Sequence, residues 1–101
     1  MKKPRTLEDL RAEVDVVDRG IVLLLAKRFE IVKQIGEFKK KNHQVIVDNS
    51  RFQKVLEKVE TLANQTGIDK EFIDKIYKEI HDYACELEGK GNNYESWLSR
   101  S

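Results

Sequence analysis

With 101 residues, 37% charged and 40% hydrophobic, the chain fits one soluble domain with a modest core and leaves no room for a second. Lysine and arginine number 19 against 18 aspartates and glutamates, so the net charge of +1 supplies no field toward nucleic acid or anionic membranes, and neither is an expected partner. One cysteine excludes an internal disulfide, the N-terminus lacks a hydrophobic signal core, and no apolar run approaches the ~18 residues of a membrane span, so a cytoplasmic location is expected.

The pattern reads as all-α. Thr6 followed by Asp9 resembles a capping box, just after Pro4. From there Leu10, Val14, Val17, Ile21, Leu24, Ile31, Ile35 and Phe38 recur at mostly three- and four-residue steps, predicting one helix over about 6–42 that tolerates Gly20 and Gly36. The basic runs "MKKPR" and "FKKKNH" read as solvated helix ends. "QVIVD" has no strand partner nearby and reads as a linker. Ser50 with Gln53 suggests a second capping box, opening a helix over about 50–65 whose stripe is Phe52, Val55, Leu56, Val59 and Leu62 and which ends before Gly67. Asp69 caps a third, over about 69–88, with Phe72, Ile73, Ile76, Tyr77, Ile80 and Leu87 on its stripe and Gly89 as its stop. The tail, 89–101, is polar apart from Tyr94, Trp97 and Leu98.

The first helix is too long for a lone compact chain. Roughly 37 residues at ~1.5 Å each span ~55 Å, whereas a compact domain of this size has a radius of gyration of ~13 Å. Two shorter helices cannot cover both ends, so a homodimer with entwined long helices is expected. A plain coiled coil is the rival reading, although the heptads break at Arg28.

That break is where chemistry enters. Arg28 and Lys39 are eleven residues apart, which at ~100° per residue places both on one face ~16 Å apart, able to bracket a small anion over Val32 and Ile35. Arg11 is rotated ~100° off that line and ~25 Å away, so only a partner helix could bring it to the same place. Asp48 and Arg51 sit where the second helix begins, where free backbone N–H groups suit an anion. His81, Ala84, Cys85 and Glu88 share a face of the third helix. Plainer readings stand beside these: Arg28 could pair with a glutamate, Lys39 could snorkel, and Glu88 could lie on the surface. His81 and Cys85 have metal-ligand spacing, but with two histidines and no second cysteine no metal is expected.

The stretch "LRAEVDVVDRGIVLLLAKRFEIVKQIGEFKKKNHQVIVDNSR", with an arginine, "VDVVD", a leucine run, an arginine, then a lysine and "D..R", resembles the all-helical class of chorismate mutase, a family that also includes isochorismate-pyruvate lyase. The likeness covers about residues 7–88. It implies an entwined dimer of three-helix chains that rearranges chorismate to prephenate in aromatic amino acid biosynthesis, with no cofactor, nucleophile or metal. It also assigns roles: Arg28, and Arg11 of the other subunit, bind the two carboxylates of a small dicarboxylate substrate; Lys39 donates to the ether oxygen; Arg51 supports the site; Ile35, Asp48, Phe52, His81, Ala84 and Cys85 line it. Glu88 stands where members have Gln or Glu and can donate to the ether oxygen only as the acid. Phe52 replaces a usual glutamate that binds the substrate's ring hydroxyl, Ala84 a frequent serine, and His81 a common aliphatic residue. These departures keep two same-fold activities open, isochorismate-pyruvate lyase and 4-amino-4-deoxychorismate mutase. A non-catalytic helical dimerisation module is the alternative outside enzymes.

Overall fold

A computed structural model describes residues 5–43 and 49–89. The expected linker at 44–48, including Asp48, and the tail from 90 onward, with Trp97, lie outside the described residues. The chain is all-α: α1 (Leu7–Lys41), α2 (Asn49–Thr66) and α3 (Lys70–Gly89), with no strand among the described residues. It divides into two compact units, Met1–Ile31 and Val32–Ser101.

The N-terminal unit is the greater part of α1. Its start is the capping box anticipated from sequence: the Asp9 N–H donates to Thr6 Oγ1 at 3.0 Å and the Thr6 N–H to Asp9 Oδ2 at 3.1 Å, so two N–H groups that the helix cannot use are satisfied. Glu8 and Asp9 also place negative charge at the positive end of the helix dipole. Leu7, Leu10, Val14, Val17 and Ile21 are exposed, and Leu24 is 70% exposed. A continuous apolar stripe in water is a surface that favours association.

The C-terminal unit holds the last turns of α1 together with α2 and α3. Local chemistry defines each helix end here. Asn42 donates to the Phe38 carbonyl through its side chain at 2.8 Å and its backbone at 3.1 Å, and His43 follows in the left-handed region at φ 54°, a conformation histidine tolerates better than most residues. α2 opens at Asn49, one residue ahead of the anticipated cap Ser50. It ends at Gly67, whose φ of 80° needs no Cβ, with the Ile68 N–H bonded to the Ala63 carbonyl at 2.9 Å in a Schellman closure. Asp69 then caps α3, its Oδ2 accepting from the Phe72 N–H at 3.1 Å.

The three residues Gly67–Asp69 therefore make α2 and α3 a helical hairpin. Lys70 fastens it, its Nζ lying 3.5 Å from both Glu60 Oε2 of α2 and Asp74 Oδ2 of α3. A hydrogen bond that the Glu60 acid donates to the Asp74 side chain raises the Glu60 carboxyl above its ordinary value, against the pull of Lys70. Val55, Leu56 and Val59 of α2 and Ile73, Tyr77 and Ile80 of α3 are half-buried along the hairpin. Ala63 completes the α2 face at four residues beyond Val59 and is buried, whereas Leu62, placed on the stripe from sequence, points ~100° away and is exposed. Phe72 is likewise exposed. Val32, Ala63, Ala84 and Cys85 are the buried core among the described residues, a small core for this much helix.

Because Asp69 supplies the first acceptor of α3, Asp69→Ala is expected to lower stability by about 1 kcal/mol, seen as a lower urea midpoint at fixed protein concentration with an unchanged slope.

Candidate functional site

Lys39 in the last turn of α1 and Glu88 in the last turn of α3 meet at 2.7 Å, Nζ to Oε1, with their side chains 19% and 11% exposed. The sequence placed them on different helices, each with a surface reading beside the catalytic one that the resemblance implies; the fold makes them one sheltered ion pair. A pair this far from water is costly to desolvate, and its Coulomb attraction is correspondingly less screened than on an open surface.

The floor beside the pair is apolar. Ala84 and Cys85, one turn before Glu88, are buried. Burial pushes the Cys85 thiol up to about 11, with Glu88 and Asp82 acting in the same direction and Lys39 against them. At neutral pH Cys85 is thus an uncharged thiol and not a nucleophile. Its Sγ lies 3.6 Å from Nε2 of His81. The His81 ring in turn stacks on Phe52 of α2, with centroids 4.0 Å apart and planes 17° from parallel. The charge pair joins α1 to α3, and the stack joins α3 to α2, with the thiol and the imidazole one and two turns before Glu88 on α3.

Of the residues selected from sequence, the structure gathers Lys39, Glu88, Ala84, Cys85, His81 and Phe52 into this one region. Arg51 is exposed in the first turn of α2, next to Phe52 in the chain. Ile35 is exposed on α1. Arg11, exposed, and Arg28, half-buried, belong to the N-terminal unit. Asp48 lies outside the described residues. Sequence reasoning passed over Gly36, read only as tolerated in the helix; it is buried against the backbone of Glu88. A glycine one turn before the candidate Lys39 was the available signal.

Such an arrangement offers a fixed cation, a carboxyl group held against it and an apolar floor. It suits electrostatic recognition of an anionic ligand. A family model for chorismate mutase type II matches residues 10–89. The chain is similar to a bifunctional chorismate mutase/prephenate dehydratase of Buchnera aphidicola subsp. Schizaphis graminum, at 35% identity over 79% of this chain and 21% of that protein. It is also similar to the T-protein of Haemophilus influenzae, at 33% identity over 79% of this chain and 22% of that protein. A 4-amino-4-deoxychorismate mutase of Streptomyces pristinaespiralis is 29% identical over 81% of this chain and 64% of that protein. The chain thus spans about a fifth of the length of the first two relatives. No solved structure matches it.

The protonated, buried state of Cys85 has a direct readout. In the folded protein at pH 7.5 its reaction with an aromatic disulfide reagent is expected to be about a hundredfold slower than in urea; equal rates in the two states would contradict the burial described.

Proposed function

Because the chain belongs to the chorismate mutase type II family, we propose that it rearranges chorismate to prephenate, a step of aromatic amino acid biosynthesis, as a cytoplasmic homodimer that needs no cofactor. The observation that carries this reading is the sheltered Lys39–Glu88 pair, drawn from two helices far apart in sequence. Residues 1–101 are read as one domain of the family.

The reaction breaks an ether C–O bond while a new C–C bond forms, by cyclic movement of electron pairs. No covalent enzyme intermediate or proton transfer is required. The protein's task is to hold a flexible dicarboxylate in its compact form and to stabilise negative charge growing on the ether oxygen. In this proposal Arg28 of one chain and Arg11 of the second copy grip the two carboxylates with their forked donors. Arg51 supports the site from the first turn of α2, Asp48 is added to it on the family resemblance, and Ile35, Ala84, Cys85, His81 and Phe52 form its walls. Lys39 donates to the ether oxygen. Glu88 joins it only as the acid, since a carboxylate there would oppose the charge that develops. The exposed apolar stripe of the N-terminal unit supports the second copy: Leu10, Val14, Val17, Ile21 and Leu24 are what it would cover.

The Phe52–His81 stack supports a second reading. It puts an aromatic wall where the family resemblance implies a glutamate for the ring hydroxyl, so a substrate bearing an amino group at that ring position fits the wall by cation–π attraction. The relative from Streptomyces pristinaespiralis carries the name of that activity. Isochorismate-pyruvate lyase, whose substrate bears its hydroxyl elsewhere, shares the same logic. A helical dimerisation module without catalysis remains the non-enzymatic alternative.

Incubation of the purified protein with chorismate, isochorismate and 4-amino-4-deoxychorismate in turn, with products identified by NMR, separates these readings. Prephenate formation is expected, Lys39→Ala should lower kcat/KM by about 10²–10³-fold, and Arg28→Ala should act chiefly by raising KM. A higher kcat/KM on the amino compound would favour the second reading. No turnover of any of the three, with dimerisation lost in an Ile21 or Leu24 variant, would favour the module.

Glu88→Gln, which keeps a donor at this position without the charge, is expected to retain or raise kcat/KM on chorismate, whereas Glu88→Ala should lower it; equal activity of both variants and the parent would remove Glu88 from the mechanism.

A further inference from the structure

We propose that Gly36 is a positioning residue of this site: by carrying no side chain, it lets α3 approach α1 closely enough to hold the Glu88 carboxylate against Lys39. The role in catalysis rests on the function proposed above, whereas the role in setting the ion pair does not.

Glycine costs stability in a helix interior, so a buried one calls for a local reason. A Cβ built at Gly36 would lie 2.8 Å from Glu88 Cα, 3.1 Å from the Glu88 carbonyl oxygen and 3.3 Å from Glu88 Cβ. These atoms are backbone or directly attached to it. No rotamer change relieves the clash, so the end of α3 has to move as a body. Carbon atoms rest ~3.5–4.0 Å apart, which makes the required displacement about 1 Å.

Lys39 is three residues beyond Gly36 and shares its helix face. Moving Glu88 away from Gly36 therefore lengthens the 2.7 Å contact with Lys39. An added ~1 Å takes it outside hydrogen-bond range. Gly20, in the same helix, provides the contrast, because nothing lies within 4 Å of a Cβ built there. Of two helical glycines, one has open space and the other has the backbone of a functional residue.

The test compares Gly36→Ala with Gly20→Ala in the full chain, using two readouts. The first is the Lys39 Nζ–Glu88 Oε separation in crystal structures of the free variants. It should stay near the parental value in Gly20→Ala and exceed ~3.5 Å in Gly36→Ala. The second readout is kinetic: Gly36→Ala should lower kcat on chorismate about tenfold or more with KM changed by less than about threefold. A folded Gly36→Ala protein that keeps the parental Lys39–Glu88 contact overturns the proposal. A Gly36→Ala chain that stays unfolded even in a stabilising osmolyte, beside a folded Gly20→Ala, also overturns it by making Gly36 a determinant of folding alone. If the parent rearranges no chorismate but the contact is lost as described, the functional reading fails and the positioning of Glu88 by Gly36 stands.

Discussion

The contact between the Lys39 ammonium and the Glu88 carboxylate organises the C-terminal unit, because two charges this well sheltered are tolerable only together. Each would be expensive alone so close to Ala84 and Cys85. The pair brings the end of α1 to the end of α3, and the buried Gly36 permits the approach. A sheltered ion pair is a poor means of adding stability when compared with apolar residues of similar size. In the proposed function its presence is explained by use: an anionic substrate would take over the lysine.

Cys85, one turn before Glu88 on α3, is held as a thiol, and His81 lies flat on Phe52. An aromatic ring and an imidazole make a wall that excludes water without imposing a hydrogen-bonding pattern on what lies against it. A wall of that kind discriminates weakly between ring substituents that differ by one polar group, whereas a dedicated acceptor discriminates strongly.

Stability in this chain is divided between local closures and burial. Thr6 with Asp9, Asn42, Gly67 and Asp69 satisfy helix-end groups by short-range bonds that depend little on tertiary packing. The buried core among the described residues is small, Val32, Ala63, Ala84 and Cys85, while Leu7, Leu10, Val14, Val17, Ile21 and Leu24 of the N-terminal unit are exposed. Helices with well-made ends but a thin core depend on further apolar contacts for cooperative stability. In the proposed homodimer, the same contacts that stabilise the chain would also complete the site.

What the sequence by itself determined is whatever depends on neighbours within a few residues: the three helices, the capping box at Thr6, the Gly67 stop and the Asp69 cap. It also marked Lys39, Glu88, Cys85, His81 and Phe52 as candidates, because helical spacing and residue type are local properties. Their assembly was decided only by tertiary structure. The sequence does not show that Glu88 meets Lys39, that Phe52 lies on His81, that Ala63 is buried while Leu62 is not, or that Gly36 is required by the backbone of α3. Those facts depend on the rotation and closeness of helices distant in the chain, and glycine and alanine enter them through the space they leave, a quantity no side-chain pattern encodes.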